Sequence, residues 1–316
     1  MRPVVEACDL RKSYGGRPAL ESMSLAIRAG EIVGLLGPNG AGKTTTLSIL
    51  ATLLTPEAGE LHICGADALH DAAAIRHKLG FVPQSIALFP SLSPLRNLEL
   101  FARVHGISKR DAYAAAMRNL ELAGLTERAH DPVAILSGGM NRRLNLACAM
   151  VHAPELLLLD EPTTGVDPQS RERIFRTVSQ AAAGGAAVIY STHYMEEVER
   201  LCDRVLLIDH GRLVADGSVS QVIALGGTQA RMEITLGSEP PAGWLNGFHG
   251  ISTLPKLPGT SKTLLALASL NLAGEILEHL RKAGAQVEEF SVHRPNLSDA
   301  FIALTGHALR DGGAPP

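Results

Sequence analysis

Gly37-Pro38-Asn39-Gly40-Ala41-Gly42-Lys43-Thr44 fits the phosphate-binding pattern G-x-x-x-x-G-K-[ST] at every fixed position. The apolar run Ile32-Val33-Gly34-Leu35-Leu36 before it predicts a buried strand. Thr44-Thr45-Thr46-Leu47-Ser48-Ile49-Leu50 after it predicts a helix start. A glycine-rich turn before any helix could carry the same letters, but this strand–loop–helix setting is the one the pattern requires. Glycines let the backbone bend so that successive N–H groups face one anion. The helix N-terminus adds its positive dipole end. In that setting Lys43 reaches the β- and γ-phosphates of a nucleotide, and the Thr44 hydroxyl ligates Mg2+. Pro38, Asn39, Ala41 and Thr45 complete the expected phosphate-binding set.

Leu157-Leu158-Leu159-Asp160-Glu161-Pro162 is the second element. Leucines bury a strand, and two carboxylates follow at its C-terminal end, the edge where parallel α/β sheets bind ligands. Asp160 is placed to hold Mg2+, and Glu161 to polarise a water against the γ-phosphate. Alone, Asp-Glu-Pro would read as a solvated strand end; downstream of a phosphate loop it reads as the hydrolytic pair. Leu136-Ser137-Gly138-Gly139-Met140 is the third. Ser137, Gly138 and Gly139 open a helix, which makes either a plain N-cap or a second anion-binding N-terminus. One ATP has no use for two such sites in a single subunit. Two ATPs shared across a head-to-tail dimer explain both.

The chain has 316 residues, enough for two domains, and 46% are hydrophobic. Its net charge of -3 gives no basic field for nucleic acid. Twenty-two arginines against seven lysines hint at a GC-rich bacterial genome. Four scattered cysteines form no C-x-x-C pair, so neither a zinc site nor a disulfide framework is expected, and a reducing cytoplasm fits. Residues 1–6 show no hydrophobic signal region, and no run approaches the ~18 apolar residues of a membrane span. A membrane role therefore needs a partner chain.

Residues 3–35 predict β-hairpins; short strands follow near 61–65 and 80–82. Residues 94–150 predict a helical insert, with helices at 95–104, 109–123 and 140–151. Strands at 156–160, 186–193, 204–209 and 212–216 alternate with helices at 171–183 and 194–201, the pattern of a parallel sheet covered on both faces. Gly226-Gly227 marks a boundary. Beyond it, strands at 230–236, 262–267 and 286–293 and a helix at 272–283 form a small α+β unit, with a loop at Pro255, Pro258 and Gly259.

Gly37 to Thr44, Leu136 to Met140 and Leu157 to Pro162, in this order and spacing, resemble the ATP-binding subunit of an ABC transporter over residues 4–220 or so. The resemblance implies an α/β fold: a P-loop NTPase core of parallel sheet plus antiparallel β subdomain, a helical insert, and a small C-terminal α+β domain. Domains are expected at 1–222 (insert about 90–150) and 223–310, with a disordered tail at 311–316. By the same resemblance Tyr14 stacks on adenine, although an ordinary turn tyrosine would look alike. Gln84 senses Mg2+ and links to the membrane subunit; Asp167 speaks across the dimer; His193 contacts the γ-phosphate and orients the attacking water. Met140 departs from the usual Gln, and Pro94-Leu95-Arg96-Asn97 departs in a segment expected to face the permease. Ser137 to Leu144, Thr163 to Pro168, Tyr194 to Asp203 and, near the end, Pro295 to Gly306 narrow the resemblance to the type-2 exporter branch, which includes daunorubicin-type drug-resistance ATPases.

The implied function is an ATPase that dimerises around two ATP–Mg2+ and drives a separate integral membrane permease from the cytoplasmic face of a bacterial membrane. No contact with nucleic acid or with the transported substrate is expected. A soluble ABC-type ATPase acting on ribosome or DNA would carry two modules or a long coiled coil, and neither is present. The same motifs also suit an importer ATPase or a non-hydrolysing nucleotide switch; Glu161 and His193 argue against the switch.

Overall fold

Alternating apolar residues shape the first two strands of this computed structural model. β1 (Val5–Tyr14) and β2 (Arg17–Ile27) pair antiparallel. Gly15 and Gly16 join them, both at positive φ (56 and 79), as a tight hairpin turn demands. β3 (Ile32–Leu36) is buried at every position and runs into the phosphate loop and α1 (Lys43–Leu50). β4 (Ala58–Ile63) and β5 (Ala66–Asp67) complete a four-stranded sheet of order β2-β1-β4-β5. The short α2 (Ala72–Arg76) leads to β6 (Leu79–Val82), which ends at Pro83, a residue that lacks the N–H a further ladder bond needs.

Three helices follow: α3 (Pro94–Val104), α4 (Lys109–Ala123) and α5 (Gly138–Met150). They pack on a core of their own that includes Leu98, Ala116, Leu120 and Leu144. The chain then alternates β7 (Leu156–Asp160), α6 (Pro168–Ala183), β8 (Ala187–Thr192), α7 (Met195–Leu201), β9 (Arg204–Asp209) and β10 (Arg212–Ser218). The second sheet has order β10-β9-β3-β8-β7-β6, parallel except for the antiparallel β10. β3, β7 and β8 are buried throughout, as strands covered on both faces must be. Gly34 lets α7 approach closely: a Cβ there would stand 2.8 Å from Val198 Cγ1 and 3.1 Å from Cys202 Sγ. Register pairs Leu36 with Thr192 and Asp160 with Ser191. The ends of β3, β7 and β8 therefore share one edge.

The structure describes residues 3–237, 243–254 and 262–307. One compact unit extends to Val219, and a second begins at Ser220. α8 (Val219–Leu225) straddles that boundary and precedes the Gly226-Gly227 pair of the second unit. β11 (Ala230–Leu236), β12 (Ile251–Thr253), β13 (Lys262–Leu267), α9 (Asn271–Lys282), β14 (Val287–His293) and α10 (Leu297–Thr305) follow. Its antiparallel sheet has order β12-β13-β11-β14. Met232, Ile234 and Leu265 of the sheet pack with Ile276 and Leu280 of α9. The loop expected at Pro255, Pro258 and Gly259, and the tail 311–316, lie outside the described residues.

Two helices start earlier than their apolar period predicts. α5 begins at Gly138 because Ser137 caps it, accepting from Met140 N at 3.2 Å. α6 begins at Pro168 because Asp167 caps it, accepting from Ser170 N at 2.9 Å, with proline at the first turn where its missing N–H costs nothing. All four cysteines are free thiols. Among the described residues no helix is long and apolar enough to cross a membrane.

Candidate active site

The phosphate loop is built by close backbone approach. A Cβ at Gly37 would lie 2.2 Å from Ile208 O, and one at Gly42 2.6 Å from Ala19 O. Gly40 and Gly42 take positive φ, 85 and 106. Pro38 accepts from the Ala41 N–H at 3.1 Å and so closes the turn around Asn39. Gly42 is the N-cap of α1 and offers no side chain to it, so Lys43, exposed Thr44 and half-buried Thr45 open the helix. Lys43 is 4% exposed and folds back over the loop. Its Nζ donates to Gly37 O at 2.7 Å and Pro38 O at 3.1 Å and stands 3.7 Å from Glu161 Oε1. Burial lowers the Lys43 pKa, and the nearby charges of Glu161 and Asp160 oppose that shift.

Glu161 is the hub. It is 6% exposed and sits just beyond β7 at φ 46, a conformation rare for a residue with a Cβ. Its backbone N–H is held there by Ser191, whose O and Oγ both lie at 3.2 Å. Gln84 Nε2 donates to Oε2 at 3.2 Å and Thr164 Oγ1 to the same oxygen at 3.3 Å. His193 donates through Nδ1 to Oε1 at 3.1 Å. That bond fixes the tautomer and leaves Nε2 as the free ring nitrogen. Asp160, the last residue of β7, is 1% exposed and accepts from Ser191 Oγ at 2.6 Å. Arg142 of α5 donates to Pro83 O at 3.1 Å, one residue before Gln84; burial lowers its pKa against the pull of Asp160 and Glu161. Lys43, Gln84, Glu161 and His193 are thus in one contact set, with Asp160 beside it.

Ser137, Gly138, Gly139 and Asp167 gather around a second point, the N-terminus of α5. Ser137 and Gly138 are exposed. Gly139 is buried, and a Cβ there would lie 2.5 Å from both Asp167 Oδ2 and Ser170 Oγ. Hydrogen bonds from the Ser170 backbone and side chain lower the Asp167 pKa. Met140 packs against the helical core, which explains how a side chain without a strong hydrogen bond suits this place. Tyr14 ends β1 and is 54% exposed. Sequence alone assigns no role to Thr164, Ser191 or Arg142. For Ser191 the available signal is a hydroxyl near the end of a strand beside β7; Thr164 lies in the loop beyond β7, and Arg142 requires knowing which way α5 faces.

A lysine of a phosphate loop set against a strand-end carboxylate, at the ligand edge of a parallel sheet, defines a phosphate-loop nucleotide hydrolase. The pattern that describes the ABC transporter family matches residues 20–164. The chain is 37% identical to the linearmycin resistance ATP-binding protein of Bacillus subtilis, over 98% of this chain and 100% of that one. It is 37% identical to a daunorubicin resistance ATP-binding protein of Streptomyces coeruleorubidus, over 95% of each. Among solved structures it resembles a dimeric ATP-binding cassette in a post-hydrolysis state with ADP and phosphate. That likeness has TM-score 0.63 and 28% identity, covering 68% of this chain and 98% of that chain. The chain belongs to the ABC transporter family, as one of its ATP-binding ATPase subunits.

Proposed function

We propose that this chain is the ATPase of an exporter, and that two copies close head-to-tail around two ATP–Mg2+ to drive a separate permease. The contact set around Glu161 carries the reading: one buried carboxylate meets the phosphate-loop lysine, Gln84 and His193 at once. Relatives named for drug resistance support export, and a neighbour that is itself a dimeric cassette supports the pairing.

Lys43 and the α1 N-terminus hold the phosphates. Glu161 takes the proton of the attacking water, a role worth roughly 10²–10⁴ in rate. His193 points Nε2 at the γ-phosphate while Glu161 holds its other nitrogen. Tyr14 stacks on the adenine. Ser137 and Gly138, exposed at the α5 N-terminus, meet the γ-phosphate bound by the partner copy, and Asp167 reads that partner's site. An all-oxygen donor set of Thr44, Asp160 and Gln84 suits Mg2+, which binds one or two carboxylates together with phosphate oxygens. Bound there, Mg2+ would neutralise negative charge on the nucleotide's phosphates. The permease docks at an apolar cavity of about 230 Å3 lined by Leu53, Phe81, Phe101 and His105; Leu53 is exposed, as are Val104 at the end of α3 and Phe89, whose ring stands 6.4 Å from that of Phe101. In this reading the chain works at the cytoplasmic face of the membrane.

The test is Glu161→Gln beside wild type, with turnover read in ATP–Mg2+ and size read by gel filtration. Wild type turns over and elutes mostly as monomer; the variant binds ATP, stalls, and elutes as a dimer. A variant that turns over like wild type, or stays monomeric with ATP bound, overturns the reading.

A further inference from the structure

Glu197 lies in the first turn of α7, in a run of acids that includes Glu196 and Glu199, yet it alone of the three is buried, at 3% exposure. One of its oxygens, Oε2, collects three hydroxyls: Thr163 Oγ1 at 2.9 Å, Tyr190 OH at 2.9 Å and Thr192 Oγ1 at 3.0 Å. A single carboxylate oxygen thus accepts from three side chains on two different stretches of chain. The three donors are not scattered. Thr163 stands two residues after Glu161, and Thr192 one residue before His193. Thr192 Oγ1 in turn accepts the N–H of Tyr194 at 3.0 Å. The peptide on each side of His193 is thereby tied to Glu197.

The other oxygen, Oε1, faces Arg171 Nε at 3.5 Å, and neither atom has a hydrogen-bond partner among the described residues. Arg171 is on α6, four residues after its cap Asp167. Its guanidinium also lies 5.8 Å from the ring centre of Tyr194, whose ring stands 4.1 Å from that of His193. A residue needed only to fill this space could be apolar, since burying a carboxylate carries a desolvation penalty.

We infer that Glu197 is a positioning residue for hydrolysis: it braces the Glu161 loop, the His193 turn and the Asp167 helix against one another, so that His193 stays on Glu161. The inference rests on the reading of His193 as the residue that contacts the γ-phosphate. The brace acts through His193, and that makes it separable from a general packing role.

The experiment is a double-mutant cycle on the full chain in ATP–Mg2+, by radiolabelled phosphate release, with ATP affinity measured by titration. Glu197→Gln is expected to lower kcat roughly 10–100-fold, the cost of loosening a catalytic group's support, while ATP affinity holds within about threefold. In a His193→Ala background the same change is expected to do little, because the group it positions is gone. Thr192→Val, which removes the hydroxyl linking Glu197 to the Tyr194 N–H and keeps the shape, gives a smaller fall of the same kind. If Glu197→Gln slows His193→Ala as much as it slows wild type, the brace is wrong and the His193 reading stands. If His193→Ala alone turns over at the wild-type rate, the His193 reading fails and takes the brace with it. If Glu197→Gln leaves kcat unchanged, the brace fails directly.

Discussion

Adjacent glycines at the start of α5 should respond in opposite directions to the same added methyl. At Gly138 φ is negative and a Cβ would meet nothing within 4 Å. Gly138→Ala therefore restricts the unfolded chain without strain in the folded one, a gain of about 0.4–1 kcal/mol. For a compact unit extending to Val219, that raises Tm by roughly 1–4 °C. At Gly139 the methyl would enter within 2.5 Å of Asp167 Oδ2 and Ser170 Oγ. Overpacking costs about 1–3 kcal/mol, and disturbing the Asp167 cap adds about 1. Gly139→Ala should lower Tm by roughly 4–15 °C. Function separates the pair again. If Gly138 is glycine because a phosphate approaches its N–H, its methyl pushes that phosphate off by ~1 Å and turnover falls about 10²-fold. Gly138→Ala is thus expected to be more stable and nearly inactive. Thermal unfolding without nucleotide and phosphate release with ATP–Mg2+ read the two quantities. A Gly138→Ala chain that is both stabilised and fully active would refute the ligand role, and a destabilised one would refute the geometry.

Lys43→Ala should weaken ATP binding about 30–1000-fold by calorimetry, since it removes the buried cation of the phosphate loop that would pair with the nucleotide's phosphates; affinity within threefold of wild type would contradict the site. His152 gives a pH prediction. Burial first, and then the charge of His105, push its imidazole down to about 4, while the ring stacks on His105 at 3.7 Å and bonds Leu79 O at 2.9 Å. An unfolded histidine titrates near about 6.5. The unfolded chain therefore takes this proton first, so stability is lost as pH falls from about 6.5 toward 4 and levels off below. Discounted for partial exposure, the loss is about 2 kcal/mol. Urea unfolding of His152→Gln should lack that slope; an unchanged slope would assign it elsewhere.

Most of the nucleotide site is legible in the sequence because its chemistry is local. The phosphate loop needs glycines and a lysine at fixed spacing, and four leucines before two acids leave little choice but a buried strand. The edge that gathers Gln84, Glu161 and His193 follows once β6, β7 and β8 are parallel neighbours. What is not legible depends on which way a helix faces. Glu197 sits among three glutamates of similar appearance, and only the packing of α7 over β3 decides which one goes inside. Asp167 is legible as part of a motif but not as the cap of α6, although Pro168 beside it is the usual sign. The capping box of Asn296 and Asp299 that opens α10 is also written in the sequence, and apolar period alone passes it over. The stack of His105 on His152 joins residues far apart in sequence and leaves no local trace.

The close seat of α7 on Gly34 has a consequence for how this chain can change over time. With a virtual Cβ only 2.8 Å from Val198 Cγ1, the sheet and the helix that carries Glu197 share one fixed volume at this point. Neither position can grow unless the other shrinks. Lineages of this sequence should therefore drift along paired substitutions: alanine at 34 accompanied by alanine at 198, and neither alone. A library randomised at both positions and selected for folding would recover that inverse relation in side-chain size. Residue 34 has no part in chemistry, yet it sets how freely the helix bearing the buried glutamate can vary.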